Sequence, residues 1–375
     1  MTKQESLILG VLLVLVLAIL LLRYQWIDHS TTMQWGYVNS GAVNPYYGVN
    51  RPYGYRLLMS AFLNLAGVVP KPGEGLIPIT FAVGLCLSFY GFLRGIRFDW
   101  PLASLGALLL CCSNGMIDLL KDFGINNTDT SSHILLLASF WAMAAGRDSL
   151  FSAFTLIGVF NREWALVMLP TWYLFHFGFS LSKTSIIRLV RVSAPSILVF
   201  LLIRFMYYPN IALGVMASEL QDILPPTEAP TWAYYWFELQ QSSLSIFGSR
   251  IASVQFYEFG LIGLAPFAVG GFLRVSAQWR RAIAFYGALC VLQLYFTTDV
   301  WRLAFYLFPV MLGLYLVWLK RASDQMNGKF AVIFCAGASV VIVLLQHSLW
   351  MILIGTLMVL AAQAYHSSGK GCPNK

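Results

Sequence analysis

The chain alternates between apolar runs and shorter polar segments. A transmembrane α-helix needs about 20 mostly apolar residues, and several of the runs are shorter than that. Residues 55–69 form a further run that fits either a span or a helix on the membrane surface. The pattern predicts an all-α polytopic transmembrane bundle with about twelve spans. The predicted runs are 7–22, 76–93, 102–112, 134–146, 150–160, 165–177, 192–207, 256–273, 282–296, 303–319, 330–345 and 349–365.

The composition agrees with a membrane protein. Of the 375 residues, 58% are hydrophobic and 11% are charged, whereas a soluble domain carries about 25% charged residues. The net charge of +8 comes from basic residues scattered singly between apolar runs, which argues against nucleic acid as a partner. The six cysteines lie mostly in apolar runs and lack a CxxC spacing, so neither a disulfide nor a metal site is indicated.

Basic residues decide the predicted orientation. If residues 55–69 lie on the membrane surface and the N-terminus is cytoplasmic, most of the 24 basic residues fall in short inner loops, as the positive-inside rule requires. No small-residue cleavage site follows the first run, so we expect a retained helix rather than a signal peptide. Both termini are then cytoplasmic, and a long first outer loop contains a surface helix.

The longest polar segments face outward in this topology. They comprise residues 26–75, 115–132 and 208–249, and they are rich in aromatic and acidic side chains. Irregular segments of more than about 15 residues are usually functional or disordered, and the aromatic residues argue against disorder. We therefore expect the chemistry of this protein at the outer face of the membrane.

Two charged sites lie at predicted outer helix ends. Asp28 and His29 follow the first run in the sequence WIDHS, where either a solvated pair or a base for an incoming hydroxyl is possible. Arg162 and Glu163 interrupt apolar sequence in FNREWALVMLP. They either mark an exposed hairpin tip or hold a phosphate, with Glu163 orienting the guanidinium of Arg162.

Two further sites contain arginine. Asp299 and Arg302 lie three residues apart in TTDVWRLAFYLFP, which fits a local salt bridge with a helix cap or an arginine beside a substrate cavity. Arg51 and Arg56 flank tyrosines in YGVNRPYGYRLL, as interfacial anchors or as ligands of an anionic headgroup.

Three aspartates lie close together in the second outer segment. Asp118, Asp122 and Asp129 are numerous enough for a cation site. Their spacing fits no calcium-binding loop, so the sequence favours a solvated loop over a metal site.

These motifs together resemble the GT-C-type integral-membrane glycosyltransferases, which use polyprenyl-phosphate-linked sugars. The resemblance rests on WID after the first span, YGYR before the surface helix, NREWALVMLP, and TDVWRLAFYLFP. It covers roughly residues 7–319. The implied division is a catalytic transmembrane module at 1–319, followed by two C-terminal spans and a basic cytoplasmic tail at 320–375.

The resemblance implies roles for the charged residues. Asp28, with His29, would be the base that activates the acceptor hydroxyl, and Arg162 and Arg302 would hold the lipid phosphate. Glu163 and Asp299 would orient these arginines, and Arg51 and Arg56 would help to collect the donor. Asp118 and Asp122 are possible additional site residues. Many family members carry two adjacent acids where this chain has Asp28 and His29, so a divalent metal is possible but not assured.

The expected activity is the transfer of a hexose or pentose, with inversion, from a polyprenyl-phosphate donor to a lipid or glycan acceptor. The chain ends without a large soluble C-terminal domain, which makes a protein acceptor less expected. The enzyme would be a multi-pass protein of the cytoplasmic membrane that acts at its outer face in cell-envelope polysaccharide biosynthesis, or at the lumenal face in a eukaryote. The alternatives are a transporter or flippase for an anionic or lipid-linked substrate, and a cell-envelope polymerase or acyltransferase.

Overall fold

The computed structural model describes residues 3–25, 58, 62, 65, 76–120, 129–203, 243–253, 256, 261–295 and 300–325. Within these residues the regular elements are thirteen α-helices and two 3₁₀ helices, with no strand, so the predicted all-α class is confirmed for this part of the chain. The α-helices are α1 (Lys3–Gln25), α2 (Leu76–Gly95), α3 (Trp100–Cys112), α4 (Asn114–Leu120), α5 (Asp129–Ala144), α6 (Asp148–Asn161), α7 (Met168–Phe177), α8 (Lys183–Leu201), α9 (Leu244–Ile251), α10 (Ala265–Phe272), α11 (Ala277–Gln293), α12 (Val300–Phe305) and α13 (Phe308–Gln325), and the 3₁₀ helices are Glu163–Val167 and Ile262–Leu264.

Four helical segments of the described chain are long and apolar enough to cross a membrane. They are Gln4–Gln25, Leu76–Gly95, Lys183–Leu201 and Leu303–Ala322. The first has most of its apolar side chains exposed, whereas the last is mostly buried among other helices. We infer that α1 faces lipid at the edge of the bundle and that α13 lies at its centre. The count of twelve spans stays a prediction.

The last described span is not the single helix that the run 303–319 predicts. The chain leaves α12 after Phe305, turns at Tyr306 and Leu307, and enters α13 at Phe308. Pro309 is the second residue of α13, a position where its missing N–H costs nothing because no helical acceptor exists there. The proline therefore starts a new helix within an uninterrupted apolar run.

Small residues allow the central helices to pack closely. A Cβ atom added at Gly271 of α10 would overlap the carbonyl oxygen of Leu314 of α13. One added at Gly106 of α3 would lie 2.8 Å from the side chain of Leu316. Helix contacts built on glycine are typical of membrane bundles, where close van der Waals packing replaces the hydrophobic effect as the force between helices.

Antiparallel connections give the bundle two distinct ends. At one end Arg94 of α2 pairs with Glu5 of α1 at 2.6 Å, and Trp141 of α5 packs on Gly95. We call this the basic end and define it by residues 94–99, 145–148, 178–191, 273–281 and 320–321. Its exposed basic residues are Arg97, Arg147, Lys183, Arg191, Arg274, Arg280, Arg281, Lys320 and Arg321. The sequence analysis predicted that all of these residues lie on the inner side of the membrane. The orientation of the termini stays a prediction.

Arginines cap two helices at the opposite end. Arg23 of α1 donates three hydrogen bonds of 2.7 to 3.1 Å to the carbonyl oxygens of Cys111, Cys112 and Ser113, where α3 ends. Arg250 of α9 likewise donates to the carbonyl oxygens of Leu294 and Tyr295, the two residues that follow α11. A cation is stabilised at the C-terminal end of a helix, where the helix dipole is negative and the last carbonyl oxygens lack intrahelical hydrogen-bond partners. The caps fix where α1 leaves the bundle, five residues before Asp28.

Candidate functional site

A break in a helical hairpin positions the best-described charged site. Helix α6 ends at Asn161, Arg162 is extended at φ −156° and ψ 141°, and the chain then reverses into the 3₁₀ helix Glu163–Val167 and α7. Gly158 makes the reversal possible, because a Cβ atom there would lie 2.6 Å from the Cβ of Ala165. The predicted break between two short helices is confirmed, and an extended arginine makes the turn.

Arg162 forms a buried ion pair. Its Nη1 contacts Oδ1 of Asp129, and only 9% of the arginine side chain and 2% of the aspartate side chain are exposed. The alternative of an exposed hairpin tip is therefore wrong. The expectation that Asp129 lies in a solvated loop is also wrong, because this residue begins α5 and is buried. A carboxylate in the first turn of a helix is stabilised by the helix dipole.

The residue before Arg162 strengthens the same contact between α5 and α6, which we call the Arg162 junction. The side-chain amide nitrogen of Asn161 donates hydrogen bonds to the hydroxyls of Ser131 at 2.9 Å and Ser132 at 2.7 Å. All three side chains are buried. Two consecutive residues at the end of α6 thus hold the first turn of α5 through one ion pair and two hydrogen bonds, and both helices are fixed relative to each other at this point.

Aromatic side chains enclose the junction. The ring of Tyr306 lies 4.3 Å from His133 and 5.2 Å from Trp164, measured between ring centroids. The hydroxyl of Tyr306 lies beside Arg162 and Ser132, and its carbonyl oxygen accepts a hydrogen bond from Tyr286 at 2.9 Å. The structure therefore brings NREWALVMLP into contact with the segment WRLAFYLFP, although about 140 residues separate them in sequence.

The structure describes only part of the predicted site. Arg162 and Glu163 are placed at the hairpin break, and Glu163 is half-buried at the start of its 3₁₀ helix. Its role in orienting Arg162 stays a prediction, since Asp129 supplies the observed ion pair. Arg302 lies on α12 and Asp118 on α4. The residues that lie outside the described part of the chain are Asp28, His29, Arg51, Arg56, Asp122 and Asp299.

Three residues of the junction were not singled out as partners from the sequence. These are Asp129, Asn161 and Tyr306. A signal for the first was present: Asp129 opens the series DTSSH directly before an apolar run, which is typical of a helix start with N-capping side chains. The pairing of Asp129 with Arg162 spans 33 residues, and no local pattern indicates a contact of that range.

No group of three or more histidine, cysteine, aspartate or glutamate side chains within the described ranges is placed to hold a metal ion. The divalent metal that the sequence resemblance allows stays a prediction.

Comparisons with known proteins give a fold but no family. No family model and no curated protein matches the chain. Two crystal structures of the Archaeoglobus fulgidus oligosaccharyltransferase are similar to it. The apo form has a TM-score of 0.56 at 14% identity over 97% of this chain, and the complex with Zn and sulfate has a TM-score of 0.50 at 13% identity over 92%.

At this identity the likeness concerns the fold alone. The chain spans about half the length of these structures, 56% of the apo form and 53% of the complex.

Proposed function

We propose that the protein is a membrane glycosyltransferase of the GT-C type. It transfers a sugar, with inversion, from a polyprenyl-phosphate donor to a lipid or glycan acceptor at the outer face of the membrane. The observation that carries the proposal is the buried Arg162–Asp129 pair at the break of a helical hairpin, in a fold shared with an oligosaccharyltransferase. Both the donor and the face are inferred from the motifs and the charge pattern.

The location of the pair supports a functional role. Helix α6 has 14 residues and a length of about 21 Å, which is shorter than the roughly 30 Å hydrocarbon core of a bilayer. A charged pair at the tip of such a hairpin is costly to keep away from water, and ionisable groups at membrane depth are functional by default. Plain helix packing would be served as well by apolar side chains.

Arg162 retains donors for a phosphate. One guanidinium nitrogen contacts Asp129, while the buried Nε has no hydrogen-bond acceptor among the described residues. A planar guanidinium binds phosphate oxygens in a bidentate manner, and a carboxylate behind it holds its orientation. Tyr306 lies beside the guanidinium, and its hydroxyl is a further group that could donate to the phosphate.

The reaction then needs three contributions from the protein. The acceptor oxygen attacks the anomeric carbon, and Asp28 takes the proton from this hydroxyl. The bond between the anomeric carbon and the phosphate oxygen breaks, and the polyprenyl phosphate leaves with the electron pair. Arg162, with Arg302 on the neighbouring helix α12, neutralises the charge that develops on that phosphate. Arg302 lies about one helical turn before Tyr306.

Purified protein tests the proposal with a panel of polyprenyl-phosphate sugars and radiolabelled lipid or glycan acceptors. We expect wild-type protein to release polyprenyl phosphate in equal amount to the sugar transferred. A general base contributes about 10²–10⁴ in rate, so Asp28→Asn is expected to lower turnover by that factor without unfolding the protein. Wild-type turnover in Asp28→Asn would overturn the assignment of the base.

The same preparations in liposomes separate transfer from transport. A flippase moves the intact donor lipid between leaflets and leaves the sugar attached to its phosphate. If the donor moves between leaflets and no polyprenyl phosphate is released, the protein is a flippase and the glycosyltransferase proposal is wrong.

A further inference from the structure

The bundle contains an apolar cavity, and none of the described residues that form the Arg162 junction lines it. It has a volume of about 250 Å³ and lies at the basic end, between helices α2, α5, α11 and α13. Aromatic and branched side chains form most of its wall, among them Phe92, Phe98, Phe140 and Trp279. Phe98 and Trp279 both belong to the basic end, so the cavity extends to the surface of the bundle at that end.

The described wall of the cavity is mainly apolar. Among the described residues of the wall, Ser276 alone carries a hydroxyl group. It already caps α11 by accepting a hydrogen bond from the backbone N–H of Trp279 at 3.5 Å. Sites for polar small molecules combine apolar walls with a few convergent polar groups, and this wall has no such set. The occupant that fits this cavity is therefore a hydrocarbon chain.

A glycine keeps the cavity open. Gly313 lies within α13 and lines the cavity, and a Cβ atom added there would meet no other atom within 4 Å. Glycine inside a helix lowers its stability relative to other residues. An empty cavity lowers stability further, because its lining loses dispersion contacts. A larger side chain at position 313 would remove both costs, so this space is suited to a molecule that enters from outside the chain.

Three arginines are sequence neighbours of residues in the cavity wall. Arg97, Arg274 and Arg280 are exposed and each lies directly beside a lining residue in sequence. Arg97 adopts φ 74°, which is uncommon for a residue other than glycine. Of the acidic residues described at this end, Glu5 pairs with Arg94 and Asp148 with Arg188. Asp99 is exposed next to Phe98, and Asp324 lies in the last turn of α13. The rim is therefore positively charged overall.

We propose that this cavity binds one acyl chain of an anionic phospholipid, whose phosphate lies against Arg97 and Arg274. An apolar chain with a charged head is the chemistry that an apolar cavity with a cationic rim recognises, and basic clusters at membrane surfaces attract anionic lipids. The described residues that line the cavity do not include Arg162, Asp129 or Tyr306. The proposal is therefore independent of the glycosyltransferase activity.

Native mass spectrometry of the delipidated full chain in detergent micelles tests the proposal. The probes are phosphatidylglycerol and phosphatidylcholine with identical acyl chains. We expect one phosphatidylglycerol molecule to bind at least tenfold more tightly than phosphatidylcholine. Equal affinities for the two lipids would overturn the assignment.

Two glycine variants locate the acyl chain. Gly313→Leu fills the cavity and is expected to weaken phosphatidylglycerol binding at least tenfold. Gly287→Leu makes the same change within α11 at a position that is also free of neighbours within 4 Å but does not line the cavity, and it is expected to bind like wild type. Wild-type affinity in Gly313→Leu would contradict the proposal. Gly313→Ala, which leaves most of the volume open, is expected to keep binding and controls for the altered helix.

The headgroup is tested separately. Replacing both Arg97 and Arg274 with glutamine is expected to abolish the preference for phosphatidylglycerol while the affinity for phosphatidylcholine stays unchanged. A preference that survives in this double variant would show that the cationic rim is not the headgroup site.

Discussion

Helix α6 carries an arginine–aspartate pair at each of its ends, and the two pairs differ in their surroundings. At the basic end Asp148 pairs with Arg188 of α8, with 28% and 39% of the two side chains exposed. At the other end Arg162 pairs with Asp129 of α5, with 9% and 2% exposed. An arginine–aspartate pair thus connects α6 to α8 at the surface of the bundle, and another connects α6 to α5 in its interior.

The difference in burial predicts a difference in energetics. An exposed pair typically contributes about 0.2–1 kcal/mol, and here Arg188 also lies over the rings of Trp172 and Phe177 at 5.5 Å. A buried pair gains little over apolar side chains of the same size, yet the loss of one partner costs about 3–5 kcal/mol. Stability alone therefore accounts for the exposed pair, whereas the buried pair calls for a functional explanation.

The largest effect is expected from Asp129→Asn. It leaves the guanidinium of Arg162 buried without a counter-charge, so the free energy of unfolding should fall by about 3–5 kcal/mol. Denaturant titration in mixed micelles measures this value. The matched control is Asp148→Asn on the exposed pair. Equal losses in the two variants would show that burial does not distinguish the pairs.

An intermediate effect is expected from Asn161→Ala. It removes two hydrogen bonds and leaves the hydroxyls of Ser131 and Ser132 buried, which should cost about 1–3 kcal/mol in the same titration. Ser152→Ala is a suitable control, because its half-buried hydroxyl donates only to the carbonyl oxygen of Val192, at 2.9 Å. A smaller loss in Asn161→Ala than in Ser152→Ala would argue against a rigid junction.

A small and salt-dependent effect is expected from Asp148→Asn. The loss should be about 1 kcal/mol or less in dilute buffer, and it should shrink further at 1 M salt, where the Debye length is about 3 Å. The loss in Asp129→Asn should persist at high salt because the buried pair is shielded from counter-ions. A loss in Asp129→Asn that disappears with salt would contradict its burial.

The smallest effect on stability is expected from the double variant Asp129→Leu with Arg162→Met. Replacing a whole buried pair with apolar side chains is often neutral or stabilising, so unfolding should stay within about 1 kcal/mol of wild type. Sugar transfer should nevertheless be lost, because no guanidinium remains to hold the phosphate. A double variant that is stable and also fully active would show that the pair has no catalytic purpose.

Local pattern predicts the helices well where a run is bounded by polar residues. The run 76–93 corresponds to Leu76–Gly95, and 150–160 lies within Asp148–Asn161. Prediction fails where helices end inside apolar sequence, as between α12 and α13. There a single proline sets the boundary, and a measure of hydrophobicity does not register it.

The candidate site was likewise predicted in part by local sequence and in part not. Two adjacent charges in an apolar segment identified Arg162 and Glu163 as unusual, because such charges are costly in a membrane. The partner of Arg162 depends on how α5 and α6 pack, and that contact joins residues far apart in sequence. Asp129 looked like one of several loop acids for this reason, although the three polar residues after it indicated a helix start.

The affinity for polyprenyl phosphate, the expected product, tests the central claim most directly. It is measured by calorimetry in micelles for wild type, Arg162→Gln and the matched variant Arg188→Gln. Hydrogen bonds to a charged group contribute about 1.5–3 kcal/mol, so Arg162→Gln should weaken binding by roughly 10- to 100-fold while Arg188→Gln binds like wild type. Equal affinities in all three proteins would contradict the assignment of the buried arginine as the phosphate ligand.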